Sequence, residues 1–300
     1  MKKTLRLIAA LLAVCVLAAA SPPVGMTVGE GSGYFDLRAA VEGAQSGATI
    51  TLPKDAMVNV ENGAPPWIIS KNITIEGNGH SVLVRAVGIL LDADVTFQNM
   101  ELSLEAADGR NAIIANGHHL TLDRVTAGDF SINVFCGSFQ PASGDSFSVP
   151  APGSAGRVTI KGSTKLQGSN NTLGPANIYA GSLSIGVIGQ NAGPEGDGPA
   201  TTFSGDAAIN IEGSAGRDSL GAIYAGGGQS RTAQGQTTGK VTSPDPDKYR
   251  VNGTVTITGT NALPDVDGAG STRTNVVYRG DGNQSLRTFQ NISSLSVESG

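Results

Sequence analysis

A short alternation of apolar and polar residues that returns at long, similar intervals constrains the fold more than any other feature of this sequence. Val158-Thr-Ile-Lys-Gly162 recurs as Ile209-Asn-Ile-Glu-Gly213 and again as Val255-Thr-Ile-Thr-Gly259, so the copies start 51 and 46 residues apart. A period of two predicts a strand with one buried face. Self-similarity at a long interval is typical of solenoids, in which each coil returns the chain to the same face.

The first half of the chain carries strands of the same kind at about half that interval. Alternating segments begin at Ile73, Val95 and Leu120, which are 22 and 25 residues apart. Strands of β-hairpin proteins usually recur every ~8–12 residues, and no helical pattern lies between these segments, which disfavours βαβ units. The interval therefore predicts one coil, and the unit of the second half is predicted to be two coils long.

Three of the five tyrosines in the chain follow the repeated strand of the second half. Tyr179, Tyr224 and Tyr278 each occupy the second position of an Ile/Val-Tyr-Ala/Arg-Gly phrase. Because equivalent residues of stacked coils lie above one another, we expect the three on one face, about 10 Å apart for a two-coil unit. They are the candidate binding residues, since aromatic faces stack on sugars. The alternative is that they pack between coils or beneath loops.

One short segment has the spacing of a helix. Apolar residues at positions 35, 37, 40, 41 and 44 fall on one helical face, Asp36 can cap the start, and Gly47 follows the end. A strand over 48–52 comes next and stops at Pro53. We predict a short amino-terminal helix over 37–44.

The first twenty residues have the features of an export signal. Basic residues at positions 2, 3 and 6 precede an almost wholly apolar run over 7–17, and small residues follow at 18–21. This pattern predicts a signal peptide over 1–20 and a secreted or cell-surface protein. The apolar run is too short to cross a bilayer comfortably, so we expect no membrane span in the mature chain.

The remainder divides into two predicted parts. Residues 21–34 are assigned to a leader or linker and residues 35–300 to a single parallel β-helix domain, because the strand phrase continues on both sides of the Gly/Ser/Pro-rich stretch near 140–156. The last residues resemble the middle of a coil, so we expect a domain truncated at its carboxyl end.

Charge and cysteine content exclude some function classes. Without residues 1–20, 17 basic and 25 acidic residues remain, a formal charge of −8, and no basic run occurs. Nucleic-acid binding needs clustered Lys and Arg, so it is disfavoured. Cys136 is then the one remaining cysteine, which leaves buried surface and hydrogen bonds to stabilise the fold. We expect a monomer.

Four segments together carry a family resemblance: "LRAAVEGAQSGATITLP", "ISKNITIEGNGHSVLV", "DVTFQNMELS" and "IIANGHHLTLDRVT". They resemble the amino-terminal part of pectate-lyase-like right-handed parallel β-helix proteins, over 35–135 and more loosely to 300. The resemblance implies an all-β, right-handed parallel β-helix with a short amino-terminal capping helix. It is greatest to the non-catalytic, adhesin-like β-helices of secreted bacterial surface proteins.

The resemblance also indicates where catalysis would be sought. Lyases of this family bind calcium on an acidic cluster and use a nearby Arg or Lys as the base. The candidates here are Asp94 and Asp123, with Arg124 as the base, while Asp92 and Asp129 are further carboxylates. Adjacent residues on a strand point to opposite faces, which separates Asp123 from Arg124. Calcium is the one cofactor left open, and solvated polar positions are the alternative.

The sequence gives less support to glycoside hydrolysis or metal binding. The family's hydrolases share an Asn-Thr-Asp run and an Asp-Asp pair, and this chain has neither, so no catalytic residue is assigned to hydrolysis. His118 and His119 are adjacent and diverge on a strand, and Asp265-Val-Asp-Gly268 lacks the closing glutamate of a calcium loop. We interpret both as turns, and no metal site is predicted.

These observations favour a secreted or cell-surface β-helix that works as an adhesive module and binds a polysaccharide or a host or cell-surface protein. One alternative is a polysaccharide lyase or glycoside hydrolase that acts on acidic polysaccharide. A second is a fragment of an autotransporter passenger.

Overall fold

The structure, a computed structural model, describes residues 33–60, 65–105, 111–140, 148–151, 155–170, 175–188, 206–212, 220–225, 228–233, 236–242, 254–260, 264–269, 273–279 and 288–298. These residues belong to one unit, Gly33–Gly300. The predicted signal peptide over 1–20 and residues 21–32 of the predicted leader lie outside the described residues.

Within those ranges the chain forms strands and a single helix, α1, Leu37–Gly43. The strands are β1 Phe35–Asp36, β2 Ala48–Thr51, β3 Ala56–Asn59, β4 Trp67–Ile69, β5 Ile73–Glu76, β6 Ser81–Arg85, β7 Ile89–Leu91, β8 Val95–Leu104, β9 Ala112–Ile114, β10 His119–Ala127, β11 Asn133–Phe135, β12 Phe139–Gln140, β13 Arg157–Lys161, β14 Ile178–Tyr179, β15 Leu183–Ile188, β16 Ala208–Ile211, β17 Ala222–Tyr224, β18 Gly228–Ala233, β19 Gln236–Thr242, β20 Thr254–Thr260, β21 Asp265–Asp267, β22 Arg273–Arg279, β23 Phe289–Gln290 and β24 Ser294–Val297.

Two large sheets, both wholly parallel, contain most of these strands. Sheet 1 has twelve strands in the order β1-β3-β6-β8-β10-β13-β16-β20-β22-β24, with β2 and β5 joined to it through β8. Sheet 2 has eight strands in the order β4-β7-β9-β11-β14-β17-β21-β23. In the first coils two successive short strands, β2 and β3 and then β5 and β6, belong to sheet 1, and both β5 and β6 pair with the long strand β8. From β7 onward the chain alternates between sheet 1 and sheet 2, and each coil adds one strand to each of them. The predicted right-handed parallel β-helix with an amino-terminal helix is confirmed.

The predicted two-coil unit is wrong. Val158 pairs directly with Ile209, and Ile209 pairs with Ile257, so the repeated strands β13, β16 and β20 belong to neighbouring coils. Each interval of 51 or 46 residues is therefore a single, longer coil. These coils are longer partly because they contribute further strands to a third sheet. This sheet 3 has the order β12-β15-β18-β19. Its last strand, β19, turns back and pairs antiparallel with β18.

The core consists of columns of equivalent residues between the sheets. In sheet 1 one inward column contains Ile75, Phe97, Leu122, Ile160 and Ile211, all fully buried. The facing column of sheet 2 contains Ile89, Ile113, Val134, Ile178, Ile223 and Val266. Burial of each such side chain contributes about 1.5–3 kcal/mol, so the stack is stabilised along its whole length.

Helix α1 adds two buried side chains, Leu37 and Val41, to this core. The Asp36 carboxylate accepts a hydrogen bond from Ala39 N at 3.0 Å, as an amino-terminal cap does. At the other end, Lys71 Nζ donates to Glu42 O and, at 2.7 Å, to Ala44 O. A side chain from a later coil thus satisfies carbonyls at the end of α1 that lack intrahelical partners.

Cys136 is a free, fully buried thiol whose pKa is raised by burial. Within the part of the chain that the structure describes, no helix is long and apolar enough to cross a membrane.

Candidate functional site

A bend on the polar side of sheet 1 gives the clearest candidate site. Strands β8 and β10 each contain one residue in the left-handed region, Asn99 with φ 52° and Arg124 with φ 54°, and Gly162 with φ 66° follows β13. These residues form a column, because the residues before them, Gln98 and Asp123, are paired. Asparagine and glycine adopt this conformation readily, whereas an arginine there is uncommon and costs about 1–2 kcal/mol.

Polar contacts hold Arg124 in a fixed position at the bend. Its Nε donates to Asn99 Oδ1 at 2.6 Å, and its Nη1 lies 2.9 Å from Asp123 Oδ1. Asp123 Oδ2 lies 3.6 Å from Lys161 Nζ of the next coil. The amide of Asn99 donates in turn to Glu76 Oε2 at 3.2 Å. We call these five residues the bend network.

The expectation that Asp123 and Arg124 point to opposite faces is wrong. It assumed an uninterrupted strand, and the left-handed conformation of Arg124 breaks the alternation. The two side chains form an ion pair, with the Asp123 side chain 10% exposed and that of Arg124 48% exposed. Part of the guanidinium therefore remains available to a ligand.

A groove of about 560 Å³ opens beside the bend network. It is lined by Asn78, Gly79, Asn99, Met100, Glu101, Arg124, Thr126 and Ser163, and we call it the bend groove. These residues come from four neighbouring coils, so the groove runs across the strands. Its size lies within the range of small-molecule sites, about 300–1,000 Å³. Its lining side chains carry amides, hydroxyls, one guanidinium and one carboxylate, and Met100, the one apolar side chain among them, is 3% exposed.

Glu76 remains ionised at the edge of this site. Partial burial raises the pKa of its carboxyl group, but hydrogen bonds from Asn78 N, Gln98 and Asn99 and the charge of Arg124 lower that pKa below its ordinary value overall. The distances are 2.6 Å from Asn78 N to Oε1 and 2.7 Å from Gln98 Nε2 to Oε2. Glu76 thus acts as a fixed acceptor that orients Asn99 and, through it, Arg124.

The third catalytic candidate, Asp94, lies in a different place. It precedes the first residue of β8 and lines a smaller groove of about 200 Å³ that also contains His119 and Thr121. Its Oδ1 accepts the backbone N–H of His119 at 2.8 Å. Five positions of an extended strand, about 16 Å, separate Asp94 from Asn99 at the bend. The structure therefore brings Asp123 and Arg124 together and leaves Asp94 apart.

The smaller groove borders a column of threonines on the outer face of sheet 1. Thr49, Thr74, Thr96, Thr121 and Thr159 lie in register on five neighbouring strands. His119 Nε2 lies 3.0 Å from Thr159 Oγ1. Burial and the nearby charge of Arg157 lower the pKa of the His119 ring, although Asp94 opposes them. The ring is thus neutral at pH 7 and extends the hydroxyl column as an uncharged polar group.

Two of the three predicted binding tyrosines lie on the outer face of sheet 2. Tyr179 and Tyr224 occupy directly paired positions and stack with ring centroids 5.2 Å apart, and Phe135 stacks on Tyr179 at 4.6 Å. Burial raises the pKa of the Tyr179 hydroxyl, and that side chain has no exposed surface. Of the predicted binding residues, Tyr224 alone keeps some exposure.

The expected common face is wrong for Tyr278. This residue belongs to β22 of sheet 1 and is fully buried in the main core. The position in register with Tyr224 is Asp267 instead. The phrase recurs in the sequence, but the varied coil lengths carry its third copy into the other sheet.

The remaining acidic candidates have ordinary structural partners. Asp92 Oδ1 lies 3.9 Å from His118 Nε2. Asp129 Oδ1 accepts from Ser169 Oγ at 3.5 Å. Asp267 Oδ1 accepts from Ala269 N at 2.9 Å, which is an Asx turn. Among the residues that the structure describes, no group of three or more His, Cys, Asp or Glu side chains is placed to hold a metal ion.

One set of polar residues was not singled out from the sequence. Asn72, Asn133 and Asn177 each precede a strand or begin one, and each side-chain oxygen accepts a backbone N–H from the next coil at 2.9–3.0 Å. These contacts tie neighbouring coils together where the strands start. An Asn directly before an alternating segment is the signal that marks them.

Comparisons of this chain with protein-family models, with curated proteins and with solved structures found no match.

Proposed function

We propose that this protein is a secreted or cell-surface β-helix that binds a glycan in the bend groove. The observation that carries the proposal is Arg124, an arginine in the left-handed region that is half-exposed in the groove and held by Asn99 and Asp123. Strained residues persist where the surroundings fix them, and they concentrate at ligand sites. In the adjacent coil the equivalent position is Gly162, which meets the same backbone requirement without strain.

The chemistry of the groove suits a ligand rich in hydroxyl groups. A guanidinium donates hydrogen bonds, a carboxylate accepts them, and the Asn and Ser/Thr side chains of the lining do both. A groove that crosses several coils admits a linear chain more readily than a compact ligand. The resemblance to adhesin-like β-helices supports an extracellular binding role for the same surface.

The two outer faces also differ in what they offer. Leu90, Ile114, Phe135 and Tyr179 belong to an apolar cluster on sheet 2 against which Val149 and Tyr224 pack. Sheet 1 presents hydroxyls, amides and charges beside two grooves. Polar ligands are therefore expected on sheet 1.

Arg124→Gly is the sharpest test, because glycine accepts the left-handed conformation and removes the guanidinium. We expect a loss of about 1.5–3 kcal/mol of binding energy, as for hydrogen bonds to a charged group, or about 10- to 100-fold in Kd. Folding stability should change by less than about 1 kcal/mol, since relief of about 1–2 kcal/mol of backbone strain offsets the lost hydrogen bond to Asn99 and the lost, partly exposed ion pair. The readouts are glycan-array binding, titration calorimetry on the best ligand and urea denaturation.

Arg85→Ala is the matched control. Arg85 is also half-exposed and ion-paired, 3.0 Å from Glu105, but it does not line the groove. Wild-type affinity in both variants would refute the groove as the site, and no glycan binding by the wild type would refute the function. Release of unsaturated product from polygalacturonate would make the same groove a lyase site, with Asp123 and Arg124 as its first residues to test.

A further inference from the structure

The charged side chains around the bend groove indicate which charge a bound glycan should have. Arg124 and Lys161 both contact Asp123, and Glu76 accepts hydrogen bonds from the same network. With Glu101 in the groove lining, the two cations face three carboxylates. These five side chains sum to a formal charge of −1, and one further cation, Lys165, is bridged in register to Thr126 but does not line the groove.

Glu101 is the carboxylate that this arrangement leaves uncompensated. It lies on β8, two residues beyond Asn99, and its side chain is exposed. Its neighbours in register are Ser81 on one side and Thr126 on the other, both uncharged. Among the described residues, none of the ion pairs includes Glu101. The Glu101 carboxylate thus has no ion-pair partner in the described part of the chain and lines the same groove as Arg124, in reach of any ligand that contacts that guanidinium.

We propose that the bend groove selects neutral over acidic saccharides and that Glu101 determines this specificity. The proposal rests on the proposed glycan-binding function. Arg124 donates to sugar hydroxyls and Glu101 accepts from them, so an uncharged chain satisfies both residues. A uronate carboxylate at the same place is attracted by Arg124, whose charge Asp123 already offsets, and repelled by Glu101. Like-charge juxtaposition of this kind is a common source of specificity.

The test compares wild-type protein, Glu101→Gln and Glu105→Gln. Glu105 is a matched control because it directly follows β8, the strand that contains Glu101. It is also exposed, forms an ion pair with Arg85 and lies outside the groove. Each protein is titrated with neutral chains (xylan, mannan, a β-glucan) and with acidic chains (polygalacturonate, alginate) at 20 mM and 500 mM salt. Glutamine keeps the shape and one acceptor oxygen, so the fold is preserved.

We expect the wild type to bind a neutral chain in preference to both acidic ones. Glu101→Gln should shift the neutral-to-acidic affinity ratio by about 3- to 10-fold toward acidic chains at low salt, the effect of one charge a few ångströms from the ligand. That shift should shrink at 500 mM salt, where screening is much stronger. Glu105→Gln should leave the ratio unchanged.

Two results would overturn the inference. A wild type that prefers an acidic chain, with binding still lost in Arg124→Gly, refutes neutral selection while leaving the glycan function intact. An affinity ratio that Glu101→Gln does not move refutes the role of Glu101. If the wild type binds no saccharide of either class, the proposed function itself fails and the inference falls with it.

Discussion

The substitution Gly137→Ala tests how closely neighbouring coils approach in this stack. A Cβ at position 137 would lie 2.6 Å from C and 2.7 Å from O of Gly181, and 2.8 Å from N of Ser182. All three are backbone atoms of the next coil, so no side-chain rotation relieves the clash. The coils must separate, which lengthens the hydrogen bonds from Gly137 N to Gly181 O, 2.9 Å, and from Ser138 N to Ser182 Oγ, 3.1 Å.

The expected loss follows from those contacts. Overpacking a well-filled interior costs about 1–3 kcal/mol, and each weakened hydrogen bond adds about 1 kcal/mol. We therefore expect Gly137→Ala to lower the free energy of unfolding by about 3 kcal/mol or more. Urea denaturation followed by far-ultraviolet circular dichroism measures this as a lower midpoint at an unchanged slope.

Two other glycines calibrate the measurement. Gly79 has φ +83° and nothing within 4 Å of an added Cβ. Gly79→Ala should therefore lower the free energy of unfolding by the cost of the left-handed conformation alone, about 1–2 kcal/mol. Gly43 ends helix α1 with open space around it, so Gly43→Ala should stabilise by up to about 1 kcal/mol. If Gly137→Ala unfolds at the same urea concentration as Gly79→Ala, the argument from close coil contact is refuted.

Two further predictions concern single polar side chains. Lys71→Met keeps the aliphatic stem but removes both hydrogen bonds to the end of α1, so it should cost about 1–3 kcal/mol in the same urea assay; an unchanged midpoint would contradict the capping role. Glu76 has a lowered pKa in the folded state, so its stabilising contribution is complete above its unfolded pKa, near 4.5, and is lost as the pH falls through the lower folded value. The stability of Glu76→Gln should therefore fall less steeply than that of the wild type below about pH 4.5, as measured by thermal melts across pH 3–6.

Periodicity identified the fold because burial acts on every strand in the same way. Val95, Leu120 and Val158 could be recognised as strand positions since each must face the core of its coil. Coil length could not be obtained in that way. Val158 and Ile209 are 51 residues apart in sequence and are paired neighbours in space, and nothing in an alternating pattern records how much chain the connecting segments contain. Tyr278 was misplaced for the same reason.

The bend was missed although the sequence contains a signal for it. Apolar residues of β8 fall at 95, 97 and 100, and those of β10 at 120, 122 and 125. Both series change from a spacing of two to a spacing of three at the same place, which requires one extra residue turned out of the strand. That residue is Asn99 in one coil and Arg124 in the next. The ion pair between the adjacent residues Asp123 and Arg124 depends on the left-handed backbone conformation of Arg124. Strand periodicity alone predicts that the two side chains point to opposite faces.

The outward-facing residues of the two sheets differ in character: those of sheet 2 form an apolar cluster, whereas those of sheet 1 are mostly polar. On sheet 2 the in-register residues Ile114, Phe135 and Tyr179 fill an outer apolar cluster, and each stacked aromatic pair contributes about 0.5–1.5 kcal/mol beyond its buried area. Folding alone accounts for such a column. Arg124 is different, because it carries about 1–2 kcal/mol of backbone strain at a position where the next coil has the unstrained Gly162. The contacts of Arg124 with Asn99 and Asp123 offset part of that strain, and the guanidinium at the groove that we propose for glycan binding would give the strained position its use.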